Sequence, residues 1–282
     1  MIDLHTHSTA SDGTDTPERI AELATAVQCS AVALTDHDTL SGLARAQRRA
    51  DELGVELVRG CEVSCAFRGA SAHVLVYFVN GDEGPLQDEL GRLRRDRVAR
   101  NRQLTARLIE LGLPVTYDEV LAEAAGEDSV GRPHFAAVLT RNGATTSVAD
   151  AFDKWLGAGR PAHVPKARVA PAEVASLARA SGAVAVLAHP LALGLAPAEL
   201  SSAVGELAEA GFAGVEAIYG RYTREERAAL TELARRHDLV ATGGSDHHGS
   251  TKPDLTVGTG RGDLKVPDEV LERLAARRPP GR

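Results

Sequence analysis

Imidazoles and carboxylates recur along this chain at spacings that suit a shared cation site. His5-Thr6-His7 lies almost at the start. In extended backbone, residues two apart project to the same side, so both rings can address one ion. Asp12 follows in Ser11-Asp12-Gly13. Farther on come Thr35-Asp36-His37-Asp38, Gly60-Cys61-Glu62, His73, Ala188-His189-Pro190 and Gly244-Ser245-Asp246-His247-His248. Each has an ordinary reading when taken singly. Asp36-His37-Asp38 suits a helix cap with a solvated turn, Ala-His-Pro a buried histidine before a turn, and Asp246 with His248 a polar loop. Their joint placement points instead to a metal centre. Mixed imidazole and carboxylate ligands suit zinc, manganese or ferrous iron, whereas calcium takes more oxygen. Three dications would retain positive charge after Asp12, Glu62 and Asp246 had each neutralised one unit. That residual charge calls for hydroxide and a phosphate dianion, so the expected substrate is phosphorylated.

The elements that position these groups follow from hydrophobic pattern. Short apolar runs at 2–5, 31–35, 55–63, 73–79, 184–188, 215–218 and 239–243 alternate with amphipathic helical patterns. That alternation predicts an α/β fold with parallel strands. Helical patterns follow Thr16, Thr39, Ala170, Pro197 and Thr223, several opening with Thr and Pro as helix starts do. In this reading Glu62 ends the third strand, His73 opens the fourth, and charged groups gather at strand termini. Active sites of parallel α/β folds form at the carboxyl ends of strands. From Pro85 to about Leu156 only helical periodicity is found, with breaks at 112–114, 126–133 and 142–143. The expected organisation is a barrel domain (1–84 and 157–282) interrupted by a helical insert (85–156). The Pro/Gly/Arg-rich end, 277–282, is expected to fray.

Bulk properties narrow the function. A net charge of −7 excludes a surface that is a nucleic-acid footprint as a whole, so attraction for phosphate must be local. Three cysteines, Cys29, Cys61 and Cys65, provide no disulfide framework and suit a reducing cytoplasm. Cys61 and Cys65 lack the partner thiols of a structural zinc site and read as small buried residues. No apolar run is long enough to span a membrane, and no secretory signal precedes His5. The expected location is cytoplasmic, with no membrane association and no stable protein partner.

The ordered motifs resemble the PHP (polymerase and histidinol phosphatase) superfamily across nearly the whole chain. The resemblance implies a distorted (βα)7 TIM-like barrel with a centre of two or three divalent ions, manganese foremost and zinc or iron as alternatives. Carried over by position, His5, His7, Glu62 and Asp246 would hold one ion. Asp12, His37 and His248 would hold a second, and Glu62 would bridge to a third completed by His73 and His189. Many family members have a histidine where Asp12 stands. His247 fills a variable slot and is not counted as a ligand. The helical insert and Gly131-Arg132-Pro133-His134 look like the small nucleotide phosphoesterase branch. Its members act on nucleoside 3′,5′-bisphosphates or trim 5′ ends of short RNA.

The pattern over 85–111 adds an independent signal. Leu86, Leu90, Leu93, Leu104, Leu108 and Leu111 form one stripe at helical spacing, and Arg97 and Arg100 fall within it. An inward arginine either grips a phosphate or closes an internal ion pair. Arg132 and His134 beside a turn, Arg100, and Asn101 bordering the stripe are the expected substrate contacts. The expected reaction is hydrolysis of a phosphomonoester by a metal-bridging hydroxide. Asp246 would position the hydroxide or shuttle its proton, and His134 would protonate the leaving group. Competing expectations are a histidinol-phosphate phosphatase, disfavoured by the insert and by Asp12, and a metal-binding regulatory or polymerase-associated module.

Overall fold

The computed structural model describes residues 1–81, 83–124, 126, 130–165 and 168–279. Seven strands follow one another: β1 (Ile2–Asp3), β2 (Ala31–Leu34), β3 (Glu56–Phe67), β4 (Ala70–Tyr77), β5 (Val184–Leu187), β6 (Gly214–Tyr219) and β7 (Val240–Gly244). Each pairs with the next in sequence. Just past β1, Leu4 N–H donates to the Gly243 carbonyl at 3.1 Å and Asp246 N–H to the His5 carbonyl at 2.8 Å. The last strand thereby meets the first, and the sheet nearly closes into a barrel. β2 and β5 are buried at every position, as unbroken aliphatic runs are when both faces of a sheet are covered.

The expected all-parallel order fails at β4, which runs antiparallel to both β3 and β5. The cause is local. β3 and β4 are joined by Arg68 and Gly69, both with positive φ (50° and 81°), the backbone of a tight hairpin turn. A two-residue turn leaves no room for the crossover a parallel pair needs. The hairpin also extends both strands. Glu62 does not end β3 and His73 does not open β4, because both lie within the hairpin ladder. Reversal of β4 brings its beginning, with His73, to the barrel mouth where the parallel strands end.

Ten α-helices lie among the described residues: α1 (Pro17–Ala26), α2 (Leu43–Leu53), α3 (Pro85–Glu110), α4 (Tyr117–Glu123), α5 (Arg132–Arg141), α6 (Val148–Ala151), α7 (Pro171–Ala180), α8 (Pro197–Glu209), α9 (Arg224–Arg236) and α10 (Glu269–Ala275). Thr16 caps α1, and Thr223 with Glu226 forms a reciprocal capping box on α9, which is why those starts are visible in sequence. α2 begins at Leu43, because Thr39 is used in a turn that accepts Ser41 N–H. α10, which the hydrophobic pattern did not signal, adds Val270 and Leu274 to an apolar cluster shared by strands around the barrel. Arg277, in the stretch expected to fray, pairs with Asp238; residues 280–282 of that stretch lie outside the described residues, as do 127–129 of the expected break at 126–133. No helix among the described residues is long and apolar enough to cross a membrane.

α3 explains how one helix serves two environments. Leu86, Leu90 and Leu93 join the apolar cluster between the sheet and α7, α8 and α9. Leu104 and Leu108 belong to a separate cluster with Val120, Phe135, Leu139 and Leu156, which extends beyond residue 156 to Ala162 and Val164. Arg97, Arg100 and Asn101 are buried on the same face, between the two apolar patches. The leucine stripe is therefore two stripes separated by a polar band.

Barrel closure demands a residue without a side chain at the end of β7. A Cβ on Gly244 would lie 2.4 Å from both His5 N and His5 Cβ. Gly244→Ala is expected to cost about 1–3 kcal/mol of stability, as overpacking does, and to displace the His5 segment. Denaturant titration checks this; an unchanged midpoint would mean that β1 and β7 are free to part.

Candidate metal centre

Glu62 is the hub of the site. It is 1% exposed, and each of its oxygens faces a separate group of rings. Oε2 lies 3.3 Å from His5 Nε2, 3.1 Å from His7 Nε2 and 3.2 Å from His37 Nδ1. Oε1 lies 3.0 Å from both His73 Nδ1 and His189 Nε2. Asp246 Oδ1 sits 3.5 Å from His5 Nε2 and His7 Nε2, and 3.3 Å from His248 Nδ1. Asp12 closes the far side, 3.3 Å from His248 Nε2 and 3.8 Å from His37 Nε2. All nine residues expected as ligands therefore meet in one contiguous cluster.

Backbone geometry accounts for the convergence. The His5–His7 segment is held between β2 and β7, with Thr35 N–H donating to the Thr6 carbonyl and His7 N–H to that of His247. The Thr6 hydroxyl turns away and donates to the Ala33 carbonyl at 2.6 Å. His5 and His7 consequently face the same way, with Nε2 atoms 3.1 Å apart. Asp246 (φ 56°) and His189 (φ 26°) occupy left-handed backbone at the mouth, a cost of order 1–3 kcal/mol each that the surrounding structure must offset. Asp3, fully buried at the end of β1, accepts N–H groups from His5, Ser245 and Gly258 and ties these loops together.

The donor set fits divalent cations. Two pairs of ring nitrogens approach within 3.1–3.3 Å around shared carboxylate oxygens, a spacing at which a proton on one nitrogen of each pair, or a shared cation, must stand between the lone pairs. His7 Nδ1 is buried with no hydrogen bond. Three groups have mutually close ligand atoms: His5, His7 and Asp246; His7, Asp12, His37 and His248; and His37, Glu62 and His73. Burial alone would raise Glu62, yet His37, His73 and His5 around it hold its carboxyl well below the usual range. Burial likewise opposes ionisation of Asp246, but His5 and Lys252 keep it well below the usual carboxylate range.

Several supporting residues escaped sequence reasoning. Glu216, fully buried on β6, accepts from His5 Nδ1–H at 2.8 Å and from His189 N–H at 2.7 Å. It fixes the His5 tautomer and leaves Nε2 as a lone pair aimed at the cluster. The signal was a lone carboxylate within the apolar 215–218 run. Asp246 Oδ2 accepts from the Tyr219 hydroxyl at 2.7 Å and from Lys252 Nζ at 2.6 Å. Nothing in the sequence marked Lys252. Asp36 is a structural acceptor for Ser8 and Ser11. His247, not counted as a ligand, binds Asp15 and the Leu255 carbonyl. Cys61 and Cys65 lie in the apolar core.

A cavity of about 240 Å³ adjoins the cluster, with Asp12, His37 and His73 on one wall and Arg97, Arg100, Arg132 and Arg168 among the others. Arg97 forms an internal ion pair with Asp38, which also receives the Ser64 N–H and hydroxyl. Arg100 differs. Its Nη2 donates to Asn101 Oδ1, its buried Nε has no partner, and no carboxylate among the described residues pairs with it. Burial, Arg132 and Arg97 together pull its pKa down to about 10. Arg132 donates to the Leu156 carbonyl and stands over Phe152. Asn101 is fully buried, its amide donating to the Val130 carbonyl, so it braces Arg100 and the approach to Gly131 and does not line the cavity. His134 borders a second, roomier cavity of about 750 Å³ that includes Asp12, His248 and Phe152. Its Nδ1 accepts Gly131 N–H at 3.0 Å, so in the neutral ring Nε2 carries the proton. Burial favours that neutral form.

Comparison with known proteins agrees with this geometry. The PHP domain profile matches residues 3–129. Over 250 residues the chain is 32% identical to the 5′-3′ exoribonuclease Rnm of Salmonella typhimurium, covering 88% of this chain and 85% of that protein. Over 257 residues it is 30% identical to the 3′,5′-nucleoside bisphosphate phosphatase of Chromobacterium violaceum, covering 91% and 90%. A crystal structure from Bifidobacterium adolescentis, described as that of a metal-dependent phosphoesterase, superposes with a TM-score of 0.86 at 29% identity, covering 99% of this chain and 96% of that one. With a seven-stranded barrel whose mouth gathers histidines and carboxylates, the chain belongs to the PHP family and is a metal-dependent hydrolase of phosphoric esters.

Proposed function

We propose that this enzyme cleaves the P–O3′ bond of nucleotides that also carry a 5′-phosphate, releasing a nucleoside 5′-monophosphate. The substrate is a nucleoside 3′,5′-bisphosphate or the 5′ end of a short RNA. The observation that carries this reading is the arginine cavity beside the cluster. A substrate with two phosphates can present one to the cluster and the other to Arg100 and Arg132, whose guanidinium groups have no acid partner among the described residues. The roomier cavity next to both would take the nucleoside, with Pro133, Ala137 and Phe152 as apolar walls.

Two or three divalent ions, manganese foremost, would be held by His5, His7, Asp12, His37, Glu62, His73, His189, Asp246 and His248. When bound, they supply an ionised water at neutral pH and positive charge for the phosphoryl oxygens. Glu216 orients His5 and the His189 backbone; Tyr219 and Lys252 hold the Asp246 carboxylate in one rotamer. Arg100 and Arg132 fix the second phosphate through charged hydrogen bonds. His134, neutral and donating through Nε2–H, serves the departing O3′. Residues 85–156 act in this reading as a helical lid that brings α3 and α5 over the barrel mouth. Three buried cysteines suit work in a reducing cytoplasm.

The direct test is phosphate release from 3′,5′-bisphosphorylated adenosine before and after chelation, beside histidinol phosphate. Chelation should abolish release and manganese should restore it, while elemental analysis returns two or three ions per chain. Turnover of histidinol phosphate alone would move the enzyme to the other branch. Arg132→Ala should raise KM for the bisphosphate roughly 10-fold or more, the scale of a lost charged hydrogen bond, while His134→Ala should lower kcat. Full activity of the His134 variant would remove that residue from the reaction. Glu216→Gln should weaken metal affinity about 10–100-fold, as loss of a ligand's orienting partner does, read by competition with a chromogenic chelator.

A further inference from the structure

A third cavity opens on another side of the cluster. It has a volume of about 530 Å³, and its walls include Leu191, Ala192, Tyr219, Arg221, Tyr222 and Lys252, with His189 and Asp246 where it meets the cluster. Of the residues lining the arginine cavity, only His37 and His73 also line this one. A nucleoside 3′,5′-bisphosphate bound as described above leaves it unused.

We infer that this third cavity receives the next nucleoside of a ribonucleotide chain, the one esterified to the phosphate held at the cluster. The inference rests on the P–O3′ cleavage proposed above and extends it. In a bisphosphate the 3′-phosphoryl group ends in an oxygen; in RNA that position carries the 5′-oxygen of the following nucleoside. The same step serves both. Water oxygen bonds to phosphorus, the P–O3′ bond breaks, and the water proton ends on O3′. One substrate gives inorganic phosphate, and the other gives a chain with a new 5′-phosphate. Only the second needs space beside phosphorus for a further nucleoside, off the line that joins the entering water to O3′.

The walls have the chemistry that a nucleoside and its phosphate require. Tyr219 and Tyr222 form a perpendicular pair with centroids 4.8 Å apart, and Leu191 and Ala192 add apolar surface. The Tyr222 hydroxyl accepts Leu191 N–H at 2.9 Å, which fixes its ring. Single-stranded RNA is held mainly by bases laid against aromatic rings and by cations along the backbone. Arg221, exposed and paired at the surface with Asp254, and Lys252 provide the cations.

The experiment compares kcat/KM for 3′,5′-bisphosphorylated adenosine and 5′-phosphorylated diadenosine and triadenosine ribonucleotides. Tyr222→Ala should lower the oligonucleotide-to-bisphosphate ratio about 10-fold, the scale of a lost base–aromatic contact. Tyr222→Phe, which keeps the ring and loses the hydroxyl, should retain the wild-type ratio. Arg221→Ala, at an exposed position that folding does not depend on, should lower the ratio in the same direction. A wild-type enzyme that hydrolyses the bisphosphate but not the oligonucleotides overturns this subsite and leaves the proposed function standing. Ratios unchanged in both Tyr222→Ala and Arg221→Ala also overturn it. Silence on every substrate defeats the proposed function and the subsite together.

Discussion

Five imidazole nitrogens lie within 3.0–3.3 Å of the two oxygens of one buried carboxylate, Glu62, and most of the barrel mouth is arranged around that contact. A carboxylate removed from water is costly unless charge or hydrogen bonding compensates. Six imidazoles brought together repel once protonated and leave lone pairs facing one another when neutral. Divalent ions would resolve both problems, because facing lone pairs would then serve a common cation. The fold pays for this arrangement with left-handed backbone at His189 and Asp246, and with a glycine at the end of β7 where His5 passes.

Around the cluster, carboxylates outside it set its geometry. Glu216 bonds the His5 ring and the His189 backbone, so one side chain on β6 fixes residues from the ends of β1 and β5. Asp3 gathers three backbone N–H groups from separate loops, and Asp38 joins Arg97 of α3 to the β3 backbone through Ser64. These contacts are buried and charged, so removal of either partner strands the other. They link α3 to the barrel at the level of the site.

α3 spans the barrel cluster and the arginine cavity. Its two leucine patches pack on different apolar clusters, and the polar band between them faces the arginine cavity. Arg97 and Arg100 are three residues apart on one helix face, yet their settings differ. Arg97 has a carboxylate in reach and closes an ion pair; Arg100 meets an amide and other arginines. An arginine raised against like charges in a cavity is poised for an anion.

Much of this protein was legible in its sequence. Imidazoles and carboxylates, their order and the repetition of short apolar runs before them marked a cluster able to hold metal at the mouth of an α/β barrel. Local chemistry carried that information: His-x-His in extended chain, and Thr or Pro at helix starts. Helical spacing in α3 likewise put Arg97 and Arg100 on the inward face, without saying which would find an acid. The Arg68-Gly69 turn, a local feature that apolar runs do not record, reversed β4 and drew Glu62 and His73 into a ladder. Tertiary structure alone decided the rest. Glu216 met His5 across 211 residues through barrel closure, Tyr219 met Asp246 through the pairing of β6 with β7, and Lys252 reached Asp246 through the fold of its own loop. Asn101 turned inward because Val130 and Arg100 used both ends of its amide. Such contacts depend on which elements become neighbours in space, and a linear pattern records only what each element presents.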